Sequence, residues 1–229
     1  MNTARTLTLL GSRSTCTVGT IVAVGRNYDA HAREMGAAPS ARPLLFLKPA
    51  SALVTDGGTV RRPVFSQLLH HELELVVAIG HGGGAIDAAD ALAHVLGYAV
   101  GLDMTLRDVQ DEAKRRGHPW AVAKGFDTAA PVSALVPADR IHDPSRLELE
   151  LLVNGERRQH GWTRDMILDV PHLIAYISSI FRLERGDLIF TGTPEGVGPV
   201  APGDRLEARL VDHVALQVTV EKAAAPASR

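Results

Sequence analysis

Two glutamates stand two residues apart in the run His70-His71-Glu72-Leu73-Glu74-Leu75-Val76-Val77-Ala78-Ile79. In an extended strand, residues i and i+2 share one face, about 6.5–7 Å apart along it. Val76 and Ala78 continue that face and are apolar, so the face is headed for burial. Buried carboxylates without a partner either carry a desolvation cost of several kcal/mol or take up protons, and a cation between them removes the problem. A divalent metal meets that need. The competing reading is a strand that turns one polar face to solvent. Asp103, at the end of the apolar run 94–102, supplies a third carboxylate. Three carboxylates with no His or Cys describe a hard ion, Mg2+ first and Mn2+ second.

Other residues carry weaker signals. His31 and Glu34 are three apart on an expected helix and face the same way, a pair able to hold and deprotonate a water. An exposed salt bridge is the plainer alternative. Lys124 lies in the apolar stretch WAVAKGF and reads as a cation for developing oxyanion charge or for a substrate carboxylate, against a snorkelling surface lysine. The segment TGTPEGVG (191–198) follows a strand and offers hydroxyls and backbone amides to a carboxylate, without the Gly-Lys-Ser/Thr ending of a phosphate loop. Gly80, Gly82, Gly83 and Gly84 lack dinucleotide spacing and read as a turn. His70, His71 and His81 lack zinc spacing.

The elements that must position these groups are mostly strands, expected at 18–24, 44–48, 73–79, 94–102, 147–153, 187–191, 205–210 and 214–220. Asn154-Gly155 reads as a hairpin turn needing positive φ. Helices are expected from an Asn27 cap through Glu34 and over 86–93. A third opens at a Thr105/Asp108 capping box and closes at Arg115-Arg116-Gly117. A fourth covers the apolar segment 173–181, opened by Asp169-Val170-Pro171. Strands without regular strand–helix alternation argue for a β-rich α+β domain. Residues 1–17 read as a short extension with a strand near 6–10, 18–222 as the main domain, and 223–229 as a frayed tail.

With 229 residues, 45% hydrophobic and 22% charged, the chain can bury a substantial core. A net charge of −2 gives no electrostatic case for nucleic acid or an anionic membrane, leaving a small molecule as the expected partner. One cysteine, Cys16, excludes an intrachain disulfide and fits a reducing compartment, the cytoplasm by default. No apolar run approaches the roughly 20 residues of a membrane-spanning helix.

Five segments together carry a resemblance: GRNYDAHAREM (25–35), FLKP (46–49), HHELELVVAIG (70–80), GYAVGLDMTLRDVQDEAKRRGHPWAVAKGFD (97–127) and GDLIFTGTPEGVGPVAPGD (186–204). The chain resembles the fumarylacetoacetate hydrolase superfamily, most of all its short acylpyruvase and oxaloacetate decarboxylase branch. The resemblance implies a mixed β-sandwich roll, a homodimer, and magnesium ligands at Glu72, Glu74 and Asp103. It implies a catalytic His31/Glu34 dyad on a lid, Lys124 beside the substrate's oxygens, and Arg107, Gln110 and Thr193 around the pyruvate end. Glu195 stands where some relatives carry a basic residue, so substrate preference can differ. The implied reaction is hydrolysis of a 2,4-dioxo acid, an acylpyruvate or fumarylpyruvate from aromatic-ring degradation, through a pyruvate enolate. The alternatives are decarboxylation or keto–enol tautomerisation of oxaloacetate, and behind them a non-catalytic dioxo-acid binding domain.

Overall fold

The structure, a computed structural model, describes residues 5–29 and 43–223. His31 and Glu34, and with them most of the helix expected from Asn27 through Glu34, lie outside the described residues. Two sheets dominate. The central one has six strands in the order Val136–Pro137, Val95–Leu102, Leu73–Ile79, Leu188–Phe190, Ile21–Gly25 and Leu44–Lys48. Only Leu188–Phe190 and Ile21–Gly25 run parallel in it. The flanking sheet orders Glu156–Trp162, Glu148–Val153, Arg205–Leu210, Val214–Lys222 and Thr59–Arg62.

The burial pattern follows from this layering. Every residue of Leu73–Ile79 is buried, because the strand is covered on both faces. Glu148–Val153 alternates half-buried and buried residues and lays Leu149, Leu151 and Val153 inward, as a sheet with one wet face requires. The two sheets meet where Val95–Leu102 packs on Arg205–Leu210 and Val214–Lys222. The architecture is the β-rich α+β fold expected from the sequence, with three α-helices among the described residues: Arg107–Arg116, Ala121–Lys124 and Val170–Ser178.

Local chemistry explains most element boundaries. Asn154 and Gly155 take φ of 53° and 84° in the hairpin between Glu148–Val153 and Glu156–Trp162. Asp169 caps Val170–Ser178 by accepting from His172 N–H at 3.0 Å, with Pro171 in the first turn. Gly117 closes Arg107–Arg116 in the left-handed region at φ 67°.

Two expectations differ. Residues 86–93 form turns and a short 3-10 helix, Ala91–His94, rather than an α-helix. Ala85 N–H donates to Ser178 O at 2.8 Å and Ile86 N–H to Ser178 Oγ at 2.9 Å, so the start of this segment is laid against the end of Val170–Ser178. Thr105 does not cap the next helix. It lies in the strand Thr105–Leu106, and its hydroxyl accepts from Lys124 Nζ at 2.6 Å. Asn27 spends its amide on Thr191 O and Leu168 O, at 2.8 and 2.9 Å, with Leu168 N–H returning a bond to Oδ1. It therefore ties two loops together.

Candidate metal centre and active site

Sheet register brings the acids together. In the antiparallel pair of Leu73–Ile79 and Val95–Leu102, Leu73 faces Leu102, so Glu72 and Asp103 come opposite one another just beyond it. Asp103 N–H donates to Glu72 O at 2.8 Å and fixes that pairing. Opposite residues share a face, and Glu74 is two along from Glu72 on the same side. Strand pairing is interrupted at Glu72, where a three-stranded sheet containing Leu69–His71 hands over to the central one. The outcome is three buried carboxylates, each offering an oxygen within 4.8 Å of the others.

Three basic side chains meet them. Lys124, at the end of a four-residue helix, places Nζ 2.8 Å from Glu72 Oε2 and 2.6 Å from Asp103 Oδ2. Lys48, at the end of Leu44–Lys48, reaches Asp103 Oδ1 at 2.7 Å and donates to the carbonyls of Lys124 and Ala129, the latter at 2.9 Å. Arg107 lies 2.5 Å from Glu72 Oε1 and donates to Gln110 Oε1 at 2.6 Å. Both lysines are at most 2% exposed.

Glu74 differs from its neighbours, since its direct partner is the Gly192 N–H at 2.6 Å rather than a cation. Burial first, and then the charges of Asp103 and Glu72, push its carboxyl well above the ordinary value, with the Gly192 bond opposing. Burial opposes the charge on Lys124, but Asp103 and Glu72 outweigh it and raise its pKa. Lys48 moves the other way: burial dominates, Asp103 supports its charge and Lys124 repels it.

The donor set fits a divalent cation. It is all oxygen, dry and clustered, and its least compensated member, Glu74, is the one driven toward protonation. Three carboxylates and three basic groups balance in number, so a doubly charged ion would leave the centre positive and suited to an anionic ligand.

The loop Thr191-Gly192-Thr193-Pro194 is buried and closes one side of the centre. Gly192 takes φ of 98°, and a Cβ there would stand 2.7 Å from Asn27 Cβ, so glycine is required to aim its N–H at Glu74. Thr193 is 3% exposed and Glu195 is exposed.

The structure thus brings together Glu72, Glu74, Asp103, Lys124, Arg107 and Gln110, with Thr193 on the loop that bonds Glu74. His31 and Glu34 lie outside the described residues. Sequence reasoning missed Lys48 and Gln159. Lys124 is not alone among lysines in apolar surroundings: Lys48 ends the run Leu44-Leu45-Phe46-Leu47, a signal as strong. Gln159, 1% exposed, bonds His71, Leu73 N–H, Thr193 and Pro194 O.

This fold and site define a family. The family model for the fumarylacetoacetate (FAA) hydrolase C-terminal region matches residues 20–221, and the chain belongs to that family. It is 50% identical over 202 residues to human oxaloacetate tautomerase FAHD1, mitochondrial, covering 88% of this chain and 91% of the relative. It is 52% identical over 184 residues to the oxaloacetate decarboxylase, mitochondrial, of Dictyostelium discoideum, covering 80% and 84%. Among solved structures, the fumarylpyruvate hydrolase of Pseudomonas aeruginosa in complex with Mn2+ and pyruvate superposes with a TM-score of 0.92. Its identity is 42%, over 97% of this chain and 98% of that one. The chain is an enzyme of this superfamily, and no helix of the described residues is long and apolar enough to cross a membrane.

Proposed function

We propose that this enzyme hydrolyses 2,4-dioxo acids of the acylpyruvate type, fumarylpyruvate among them, at the C3–C4 bond to give pyruvate and a carboxylic acid. The observation that carries the reading is the convergence of Glu72, Glu74 and Asp103 within 4.8 Å of one another, with the Lys124 ammonium bonded to two of them. The three carboxylates would hold Mg2+, with Mn2+ as a substitute, and the ion would supply Lewis acidity to a bound 2-oxo acid. The chain's own groups do the rest. Lys124 keeps a buried positive charge beside the place where enolate oxygen charge develops, and Asp103 and Glu72 keep it protonated. Arg107, Gln110 and Thr193 receive the carboxylate end. His31, oriented by Glu34, takes a proton from the water that attacks C4. The C3–C4 electrons pass into the enolate, and protonation at C3 yields pyruvate.

Oxaloacetate is the second reading, favoured by the 50% and 52% identities to the human tautomerase and the Dictyostelium decarboxylase. Loss of its far carboxyl group as CO2 yields the same enolate, and tautomerisation needs only proton transfer at C3. Neither needs a water nucleophile. Steady-state assays with acetylpyruvate, fumarylpyruvate and oxaloacetate, each with Mg2+ and with chelator, separate these activities. Inactivity across the panel in metal-loaded protein would leave a dioxo-acid binding domain.

The same reading takes the enzyme as a cytoplasmic homodimer. Phe65 and Val122, 61% and 58% exposed, border one hollow and offer an apolar surface for a second copy. Native mass spectrometry tests the dimer.

A further inference from the structure

Gln159 reaches out of the flanking sheet, from Glu156–Trp162, into the side of the site. A primary amide has an acceptor oxygen and two N–H donors. Here Oε1 accepts from Leu73 N–H at 2.9 Å and meets His71 Nδ1 at 2.8 Å. Nε2 donates to Thr193 Oγ1 at 2.8 Å and to Pro194 O at 3.0 Å. The orientation has no alternative: a backbone N–H can only donate and a carbonyl can only accept. Oε1 must face the strand and Nε2 the loop. His71 consequently carries its proton on Nδ1.

The consequence falls on Thr193. Its oxygen receives the Gln159 N–H, so its own proton must point elsewhere. Among the described residues the acceptor for that proton is Pro194 O, at a long 3.4 Å and already engaged by Gln159. The hydroxyl is therefore presented as a donor, beside a loop whose Gly192 N–H is fixed on Glu74. A hydroxyl locked in that sense suits a ligand that only accepts.

We propose that Gln159 is a positioning residue that fixes the Thr193 hydroxyl as a hydrogen-bond donor to the carboxylate of a bound 2-oxo acid. The same amide ties the loop to the backbone between Glu72 and Glu74, so carboxylate pocket and metal face keep one spacing. The assignment rests on the 2-oxo acid reading of the site.

Pyruvate titrated into the Mg2+-saturated enzyme, followed by calorimetry, tests it. Gln159→Glu, assayed at a pH where the new carboxyl is ionised, keeps an oxygen for Leu73 and His71 but loses the donor, so Thr193 must turn its proton back toward residue 159. Pyruvate affinity then falls about tenfold or more. In a Thr193→Val background the same change alters affinity less than about threefold, because the hydroxyl it acts through is gone. Thr193→Ser stays within about threefold of wild type, and Mg2+ binding, read by chelator competition, is not weakened. An equal loss in both backgrounds reveals charge or packing alone and overturns the assignment, as does no loss in either. Should Gln159→Glu fail to fold, Gln159→Met, which also lacks the donor, enters the same cycle with the same expected coupling. A wild-type enzyme that binds Mg2+ but not pyruvate overturns the functional reading itself, and the role of Gln159 falls with it.

Discussion

The ammonium of Lys124 lies 2.6 Å from Asp103 Oδ2, while the other oxygen of the same carboxylate is held by Lys48 at 2.7 Å. Asp103 is thereby fixed at both ends, and Lys124 keeps its proton in a dry site. Replacing Lys124 with Met removes the charge that faces the developing enolate. Turnover of fumarylpyruvate or oxaloacetate should fall about 10²–10³-fold, with Mg2+ binding retained. Near wild-type kcat in a folded variant would remove Lys124 from the chemistry.

Lys48 reaches into the centre from behind and makes no contact that requires a ligand. It joins Asp103 to the carbonyls of Lys124 and Ala129, and so holds the helix Ala121–Lys124 against the acid it serves. Lys48→Met leaves Asp103 with one cation and those carbonyls short of a donor. Loss of one partner from a buried pair costs about 3–5 kcal/mol, so chemical denaturation of the metal-free protein should show that loss. Saturating Mg2+ should restore part of it, since an ion that binds only the native state stabilises it. Wild-type stability in the variant would mean that the network is not load-sharing.

Glu74 predicts the opposite sign. Its folded-state pKa is raised, so the native state holds protons that the unfolded chain releases. The metal-free protein is therefore most favoured below the ordinary glutamate value and loses stability as pH rises through the raised one. Glu74→Gln removes that loss and still leaves an oxygen for Gly192 N–H. In chelator at neutral pH the variant should melt above the wild type and be more stable by about 1 kcal/mol or more. Its Mg2+-dependent gain in melting temperature should vanish, whereas the wild type gains with added ion and loses the gain in chelator. A variant less stable than wild type without metal would show that Glu74 is not the strained member.

Much of the site was legible because its signals are local. Glu72 and Glu74 appear through strand alternation, Asp103 through the end of an apolar run, and Lys124 through its apolar neighbours. Gln159 had no such sign: it lies in a polar hairpin arm, and its partners His71 and Thr193 are 88 and 34 residues away. Lys48 carried a local sign equal to that of Lys124, but its partner Asp103 becomes visible only through folding. The strands 44–48, 73–79 and 205–210 matched residue for residue, since alternation and turns define them. The expected helix at 86–93 is reduced to the 3-10 turn Ala91–His94, and the start of the segment is tied to Ser178, 92 residues along the chain, a contact no local pattern shows. The separate strand Leu69–His71 was not legible, since its partners Thr105–Leu106 and Gly198–Val200 lie far along the chain.

Asp108 anchors the wall of the site that carries Arg107. Its Oδ1 accepts from Ser66 Oγ at 2.7 Å and Val109 N–H at 3.0 Å, and Oδ2 from Gln67 N–H at 2.8 Å, so it pins the loop before Leu69–His71 to the start of Arg107–Arg116. Partial burial works against its charge, but the bonds from Gln67, Ser66 and Val109 outweigh it and hold the carboxyl below the usual aspartate value. The unfolded chain then binds more protons between the two values, so the contribution is complete above the ordinary aspartate pKa and is lost as pH falls through the lowered one. Asp108→Ala should cost about 1–2 kcal/mol at neutral pH, because Ser66 and Gln67 lose a charged acceptor. At about pH 3 the gap between variant and wild type should narrow, the opposite of the trend expected for Glu74. Denaturant titrations of both proteins across that range measure the gap directly, and a pH-independent difference would mean that packing, not the ionised carboxylate, joins loop to helix.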